Sequence, residues 1–491
     1  SSDLIDVLRR QAEWSHGDER KSLLFRIGEI QQSLLDDSDA AIATYREILD
    51  GDAQEVRALD ALESLHVAKE QWTDLIGILR RRVDLANDSQ SRRDLLWRIA
   101  EVIEVKLGDR DEAITAYGVI LSERAEDVPA IDALGRLYEA AEQHSNLLDM
   151  LERRLPLTLD VTDRVTLRLK MAGLLEGALR RNDAALEAYR EVLIDDARSS
   201  IAREGLERML DDDSLRLRAA EVLEPIYTLH GDLRALERLS ELFATYLADV
   251  HERIVRLRKV AELRITLGDP RGALEALARA VRLAVAETEL PELLDLVETH
   301  VDSHKAQREL VELYREVADQ ILDTRVQERV LLQIAKEAYA LGERDVSRDY
   351  YRRVLDNVSD HLVALEALEK IYAEGRELES LLEIYARRAS LAQREDRRDD
   401  GQRRQYLILA ADLCERELAR PSEAIALLEQ VLALFPADAE SATSLERLYK
   451  NSLRWADLAD LLRRDFTRPS EAVRTRHLAT QALIEAGGEM G

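Results

Sequence analysis

Two histidines four residues apart, His300 and His304, with Asp302 between them in HVDSH, form the tightest grouping of metal-ligating side chains in this 491-residue sequence. On a helix that spacing turns both imidazoles to one side, as a zinc site requires. A third ligand at a fixed spacing is missing, so the pair reads as solvated histidines. Cys414 is the one cysteine, in an Ala/Leu context, which excludes a disulfide framework and reads as a small core residue. The chain has no G-x-G-x-x-G, G-x-x-x-x-G-K-S/T, H-E-x-x-H or G-x-S-x-G, so phosphate cradles, zinc proteases and nucleophile elbows lack support. Acidic pairs abound, but with 98 Asp and Glu and 70 Lys and Arg they are what exposed helical faces carry. No catalytic, cofactor-binding or metal residue is assigned, and the chain reads as a non-enzyme.

The elements that position these residues follow from composition. The chain is 46% hydrophobic and 34% charged with only 4% aromatic residues, and Ala, Leu, Glu and Arg dominate, which is a palette of helix formers. An all-α fold is expected. A formal charge of −28 opposes a general nucleic-acid or anionic-membrane binder, because phosphates are held by clustered positive charge. A protein or peptide is the partner class that remains. No apolar run reaches the roughly 18 residues of a membrane span.

One phrase recurs: SDAAIATYREIL at 38–49, GDRDEAITAYGVIL at 108–121 and NDAALEAYREVL at 182–193. Aligned on its aromatic, it places Tyr45, Tyr117, Tyr189, Leu277, Tyr351 and Leu428 at intervals of 72, 72, 88, 74 and 77. Four residues earlier stand Ala41, Ala113, Ala185, Ala273, Ser347 and Ala424, small enough for a close helix approach. Sixteen residues before those lies a large anchor: Phe25, Trp97, Leu169, Leu257, Leu331 or Ile408. A second helix pair fills each period, as in VPAIDALGRLYEAAEQHSNLLDMLERRL at 128–155. Such a period is the mark of a solenoid, in which each unit buries its apolar face against its neighbours. Pro129, Pro270, Pro291 and Pro421 fall at helix starts and Gly108, Gly268 and Gly342 just past helix ends.

The phrase with Trp97, Gly108-Asp109, Ala113 and Tyr117 resembles a tetratricopeptide repeat, with degenerate repeats paired into units of about 72 residues. The small residue usual within the first helix is replaced by Glu29, Glu101 or Asp412 in three units. The resemblance implies a right-handed α-solenoid, or superhelix, over 1–491, with these parts: 1–19, the last helix of a preceding unit; units at 20–91, 92–163, 164–252, 253–326, 327–402 and 403–470; and a partial unit at 471–491. The third unit carries an extra helix near 199–216. Both ends look cut within a unit, as in a segment of a longer repeat protein. A charged run at 393–405 is expected to be a solvated loop.

The resemblance further implies that the first helix of each unit lines a groove, and that the residue after its anchor faces a partner. Those residues are Arg26, Arg98, Lys170 and Arg258, then Leu332 and Leu409. The Asn that completes a carboxylate clamp in such arrays is missing four residues on, and Arg26–Glu29, Arg98–Glu101 and Arg258–Glu262 are also at intrahelical pairing distance. Arg pairs at 9–10, 80–81, 153–154, 387–388 and 463–464 read as cations in last helical turns. The function expected is a scaffold or adaptor, monomeric or end-stacking and cytoplasmic, without nucleic acid, membrane insertion or cofactor. The alternatives are a regulatory or chaperone-recruiting module of a larger enzyme or envelope-associated machine, and a self-assembling structural component.

Overall fold

The computed structural model describes residues 2–394, 398–464, 480 and 484, and divides the chain into two compact units, Ser1–Asp232 and Leu233–Gly491. The described residues form twenty-six α-helices and no strand. The first unit holds α1 (Ser2–Trp14), α2 (Gly17–Ser33), α3 (Ser38–Gly51), α4 (Val56–Ala68), α5 (Trp72–Leu85), α6 (Ser89–Glu101), α7 (Arg110–Glu123), α8 (Val128–Ala140), α9 (His144–Arg154), α10 (Val161–Glu176), α11 (Asn182–Asp195), α12 (Ser200–Met209) and α13 (Arg216–His230). A π-helical turn, Val102–Leu107, carries α6 on to Gly108. The second unit holds α14 (Leu233–Tyr246), α15 (Val250–Thr266), α16 (Pro270–Leu283), α17 (Leu290–His304), α18 (Gln307–Val317), α19 (Thr324–Ala340), α20 (Arg344–Asn357), α21 (Leu362–Gly375), α22 (Leu378–Leu391), α23 (Asp400–Arg416), α24 (Pro421–Leu434), α25 (Ala439–Asn451) and α26 (Trp455–Arg464). Within each unit the helices pack as successive antiparallel hairpins.

Local signals set where each hairpin bends. Asp36, Gly108, Arg180, Gly268, Gly342 and Ala419 all adopt left-handed backbone, at the same intervals of 72, 72, 88, 74 and 77 as the sequence phrase. Only three are glycine, so the turn geometry repeats more faithfully than its residue type. Five first helices begin on an aspartate whose carboxylate accepts first-turn amides: Asp88, Asp160, Asp249, Asp323 and Asp399.

Packing follows the small and large positions. Ala41, Ala113, Ala185, Ala273, Ser347 and Ala424 are all fully buried, and Ser347 returns its hydroxyl to the Ala335 carbonyl at 2.7 Å. Tyr117 meets Trp97 edge-on with ring centroids 5.1 Å apart, and Tyr45 meets Phe25 at 6.1 Å. The missing small residue of the first helix is displaced by one position. Gly28, Ala100, Ala172 and Ala411, three residues after their anchors, are the buried small residues, and Glu29, Glu101 and Asp412 are exposed beside them. A Cβ on Gly28 would lie 2.6 Å from the Tyr45 ring, so the site has no room for a side chain.

Three stretches depart from the simple pattern. Between α9 and α15 the chain carries five helices, where α6–α9 and α15–α18 are sets of four. Pro225 sits inside α13, and a cleft of about 440 Å³ opens between α11 and α13. The charged run at 393–405 enters α23 at Asp400, so its later part is helix rather than loop, capped by Asp399. Residues 395–397 lie outside the described residues, as does the partial unit at 471–491 apart from 480 and 484.

Candidate partner-binding surface

In the first unit, alternate helices are joined along one face by ion pairs. Glu29 on α2 meets Arg57 on α4 at 3.6 Å; Glu63 on α4 takes Arg98 of α6. Glu104, in the π-helical turn, meets Arg136 on α8 at 3.4 Å. Glu139 on α8 meets Lys170 on α10 at 2.7 Å, and Glu176 on α10 meets Arg208 on α12 at 2.8 Å. Each rung spans one hairpin, because equivalent positions on neighbouring hairpins lie one interaxial distance apart, about 8–10 Å. Glu63, whose side chain is nearly buried, also takes Arg82 of α5.

Two rungs reach into the core. The Tyr117 hydroxyl donates to Glu104 at 2.8 Å, and that of Tyr189 to Glu176 at 2.7 Å. Burial, reinforced by these carboxylates, pushes both phenols up from their ordinary range. The Arg208 guanidinium holds the Glu176 carboxyl below its ordinary range. At the hairpin ends, Arg93 pairs bidentately with Asp127, the N-cap of α8, at 2.8 and 3.0 Å, and Arg404 pairs with Asp438 before α25 at 3.1 and 2.7 Å.

Of the cations singled out in the sequence, Arg26, Arg98 and Lys170 lie on α2, α6 and α10 of this unit, and Arg98, Lys170 and, in the second unit, Arg258 pair with carboxylates of other helices. Arg98 is bound to Glu63 and Lys170 to Glu139, and in the second unit Arg258 on α15 meets Glu292 on α17 at 3.6 Å. Arg26 is exposed and has no ion pair among the described residues. Leu332 and Leu409 are half-buried, each packed against a core cluster of the second unit. Arg258 also lines a mainly apolar cleft of about 300 Å³ with Leu277, Leu296, His300 and His304.

His300 is buried and bonded through Nε2 to the Pro270 carbonyl at 2.7 Å, and His304 bonds through Nδ1 to the His300 carbonyl at 2.9 Å. Their rings stack with centroids 4.3 Å apart. These are packing and turn contacts, and no group of three or more His, Cys, Asp or Glu side chains able to hold a metal occurs among the described residues. The Arg pairs differ from expectation at two places: α1 and α5 run on to Trp14 and Leu85, so Arg9–Arg10 and Arg80–Arg81 lie before the last turn. Arg154 and Arg388 instead reach back to the preceding helix, at Asp132 (3.1 Å) and Glu369 (2.5 Å). Arg463 and Arg464 have no described side chains.

Two segments, 58–93 and 130–165, match the model of the tetratricopeptide repeat. The chain carries tetratricopeptide repeats. Both matched segments begin 72 residues apart and fall on α4–α5 and α8–α9, the second hairpin of a pair, whereas the phrase around Trp97 and Tyr117 lies on α6–α7. No curated protein matches the chain in sequence. Among solved structures, MamA is similar at 19% identity over 35% of this chain and 94% of its own, with a TM-score of 0.22. The tetratricopeptide domain of P58(IPK) is 14% identical over 81% and 99%, at 0.19. A tetratricopeptide repeat protein from Parabacteroides merdae is 13% identical over 67% and 98%, at 0.23. Scores this low leave the resemblance without structural consequence.

Of the carboxylates completing the rungs, Glu29 alone was singled out from sequence, as an intrahelical partner of Arg26 and not of Arg57. The available signal is a repeat-length offset: Glu63 to Arg98 is 35 residues, Glu139 to Lys170 is 31, and Glu176 to Arg208 is 32.

Proposed function

We propose that the chain is a non-enzymatic scaffold or adaptor that holds protein partners on the helical face running through α2, α4, α6, α8, α10 and α12. The observation that carries this reading is the ladder of rungs along that face, set on tetratricopeptide hairpins. Its surface is polar and alternates in sign, so it recognises a partner by exchange of ion pairs and offers no closed cavity for turnover. Exposed pairs of this kind contribute only about 0–1 kcal/mol each, so a partner's charges can displace them at little cost. An acidic segment would take Arg26, Arg98 and Lys170 from their present surroundings, and a basic one would take Glu29 and Glu139.

Binding of this type is salt-sensitive, with screening over about 8 Å at physiological ionic strength. The test is to identify a partner with the full chain as bait, measure its affinity against salt, and repeat with Arg98→Glu and Lys170→Glu. A change of at least tenfold with an unchanged melting curve is expected. Unchanged affinity at low salt would remove this face as the binding surface.

A further inference from the structure

A second surface lies in the second unit, on the opposite set of helices. Between α16 and α18 runs an open groove of about 710 Å³. The hairpin α17–α18 differs from its counterparts in one respect. Four residues before the left-handed residue of the turn, the others carry His66, Tyr138, Tyr372 or Tyr449 (turn residues Glu70, Glu142, Arg376 and Leu453), whereas before Lys305 stands Val301. The neighbouring His300 and His304, whose ring centroids are 4.3 Å apart, both border the groove. Leu274, Ala278 and Leu313 form its apolar floor.

The charges lining it are sorted by position. Arg279 is engaged with Glu241, and Arg282 and Glu316 pair across the far end at 2.9 Å. Five charged side chains remain without an ion pair among the described residues. Arg271 and Lys305 stand together at the end where α16 and α18 begin, and Glu275, Glu309 and Glu312 follow. At about 1.5 Å per helical residue, Glu309 and Glu312 lie about 3 and 8 Å along α18 from its first residue, Gln307, and Glu275 about 6 Å along α16 from Arg271. An apolar floor with only one sign of charge would accept any amphipathic chain; the ordered signs make this groove directional.

We propose that this groove docks a segment of a partner protein with three features in line: a carboxylate that meets Arg271 and Lys305, an apolar side chain on the floor, and two basic side chains one to two helical turns further on, opposite Glu275, Glu309 and Glu312. The inference rests on the scaffold reading and gives it a second place of contact with its own polarity. Like charges placed opposite one another are strongly disfavoured in an interface, so charge order decides which segment enters.

The test uses the full chain and two fluorescein-labelled helical dodecapeptides, followed by anisotropy at low salt. One carries Glu, then Leu, then Lys at four and seven residues beyond the Glu; the other inverts each sign. The first is expected to bind at least tenfold more tightly than the second. Glu309→Lys, an exposed change, should weaken the first peptide several-fold, and the fourfold variant Arg271→Glu, Lys305→Glu, Glu309→Lys, Glu312→Lys should invert the preference. Equal binding of the two peptides, or binding of neither, overturns the proposal. So does a preference for the first peptide that Glu309→Lys leaves unchanged in a protein of normal melting curve. A captured partner whose affinity ignores these exchanges removes the groove but leaves the scaffold reading in place. Peptide selectivity at the groove in a chain that captures no protein has the reverse meaning.

Discussion

Gly205 on α12 offers a test in which the usual rule for helical glycine reverses. In an exposed helix interior, Gly→Ala stabilises by about 0.5–1 kcal/mol, because alanine has less backbone freedom to lose. Gly77 on α5 is such a site, exposed and with nothing within 4 Å of an added Cβ. At Gly205 the added Cβ would lie 2.5 Å from Cε2 and Cζ of Tyr189 and 2.9 Å from Cδ2, where ordinary contact begins at 3.4 Å. The ring must retreat by about 1 Å, yet it is 2% exposed and its hydroxyl is tied to Glu176, itself held by Arg208 at 2.8 and 2.9 Å. Overpacking of this kind costs about 1–3 kcal/mol. The propensity gain is common to both variants, so their difference isolates the clash: Gly205→Ala should be less stable than Gly77→Ala by about 1–3 kcal/mol. Repeat arrays can open locally, so the readout is hydrogen exchange over α11–α12 and α5, each referred to the wild-type chain. If Gly205→Ala raises local protection as much as Gly77→Ala does, Tyr189 is free to move and the close approach is not a constraint.

Ala113→Leu, at a fully buried helix contact, should destabilise by about 1–3 kcal/mol, while Ala140→Leu at an exposed site should be within about 0.5 kcal/mol of wild type in denaturant unfolding. Asp127 is held below the ordinary carboxylate range by its hydrogen bonds with Arg93, so its contribution is complete above the unfolded value near pH 4 and is lost as pH falls through the lower folded value. Unfolding midpoints at pH 5 and pH 2.5 should therefore differ more in the wild type than in Arg93→Met, and equal differences would refute the coupling. Glu176→Gln should lower protection across α10–α12, because Arg208 loses its charged partner and the Tyr189 hydroxyl a charged acceptor.

Much of the fold was legible because its strongest constraints are local and recur. The pair Ala113 and Tyr117 encodes a close helix crossing beside a ring, and both are at most 1% exposed. Turn positions were half legible: Gly108, Gly268 and Gly342 signal left-handed backbone, but Asp36, Arg180 and Ala419 adopt it too, driven by the hairpin's closure and against residue preference. The displaced small residue, Gly28 rather than position 29, shows the limit of matching a motif by offset, since the three-dimensional requirement is space beneath Tyr45 and that space lies over the preceding residue. The ion-pair partners of Arg98, Lys170 and Arg258 were hidden for another reason. The helix surface offers Arg98 and Arg258 a carboxylate three or four residues away, at Glu101 and Glu262, but the neighbouring hairpin offers one at Glu63 or Glu292, as it offers Glu139 to Lys170, and only packing decides.

That choice bears on where recognition can reside in a chain of net charge −28. Where the period is regular, facing positions on consecutive hairpins are filled by opposite charges, as in the rungs from Glu29–Arg57 to Glu176–Arg208, and each rung satisfies its neighbour. A surface of mutually paired charges selects a partner only by exchanging those pairs for the partner's own. Around the groove between α16 and α18, by contrast, charges gather that have no ion pair among the described residues. There Val301 stands where other hairpins carry a ring, and Arg271, Lys305, Glu275, Glu309 and Glu312 surround an apolar floor. Periodicity thus supplies the framework of each unit, and departures from it supply candidate contact surfaces; Glu275→Lys, an exposed change in the groove, should weaken the charge-ordered peptide preference while leaving the ladder of the first unit, and any partner held there, untouched.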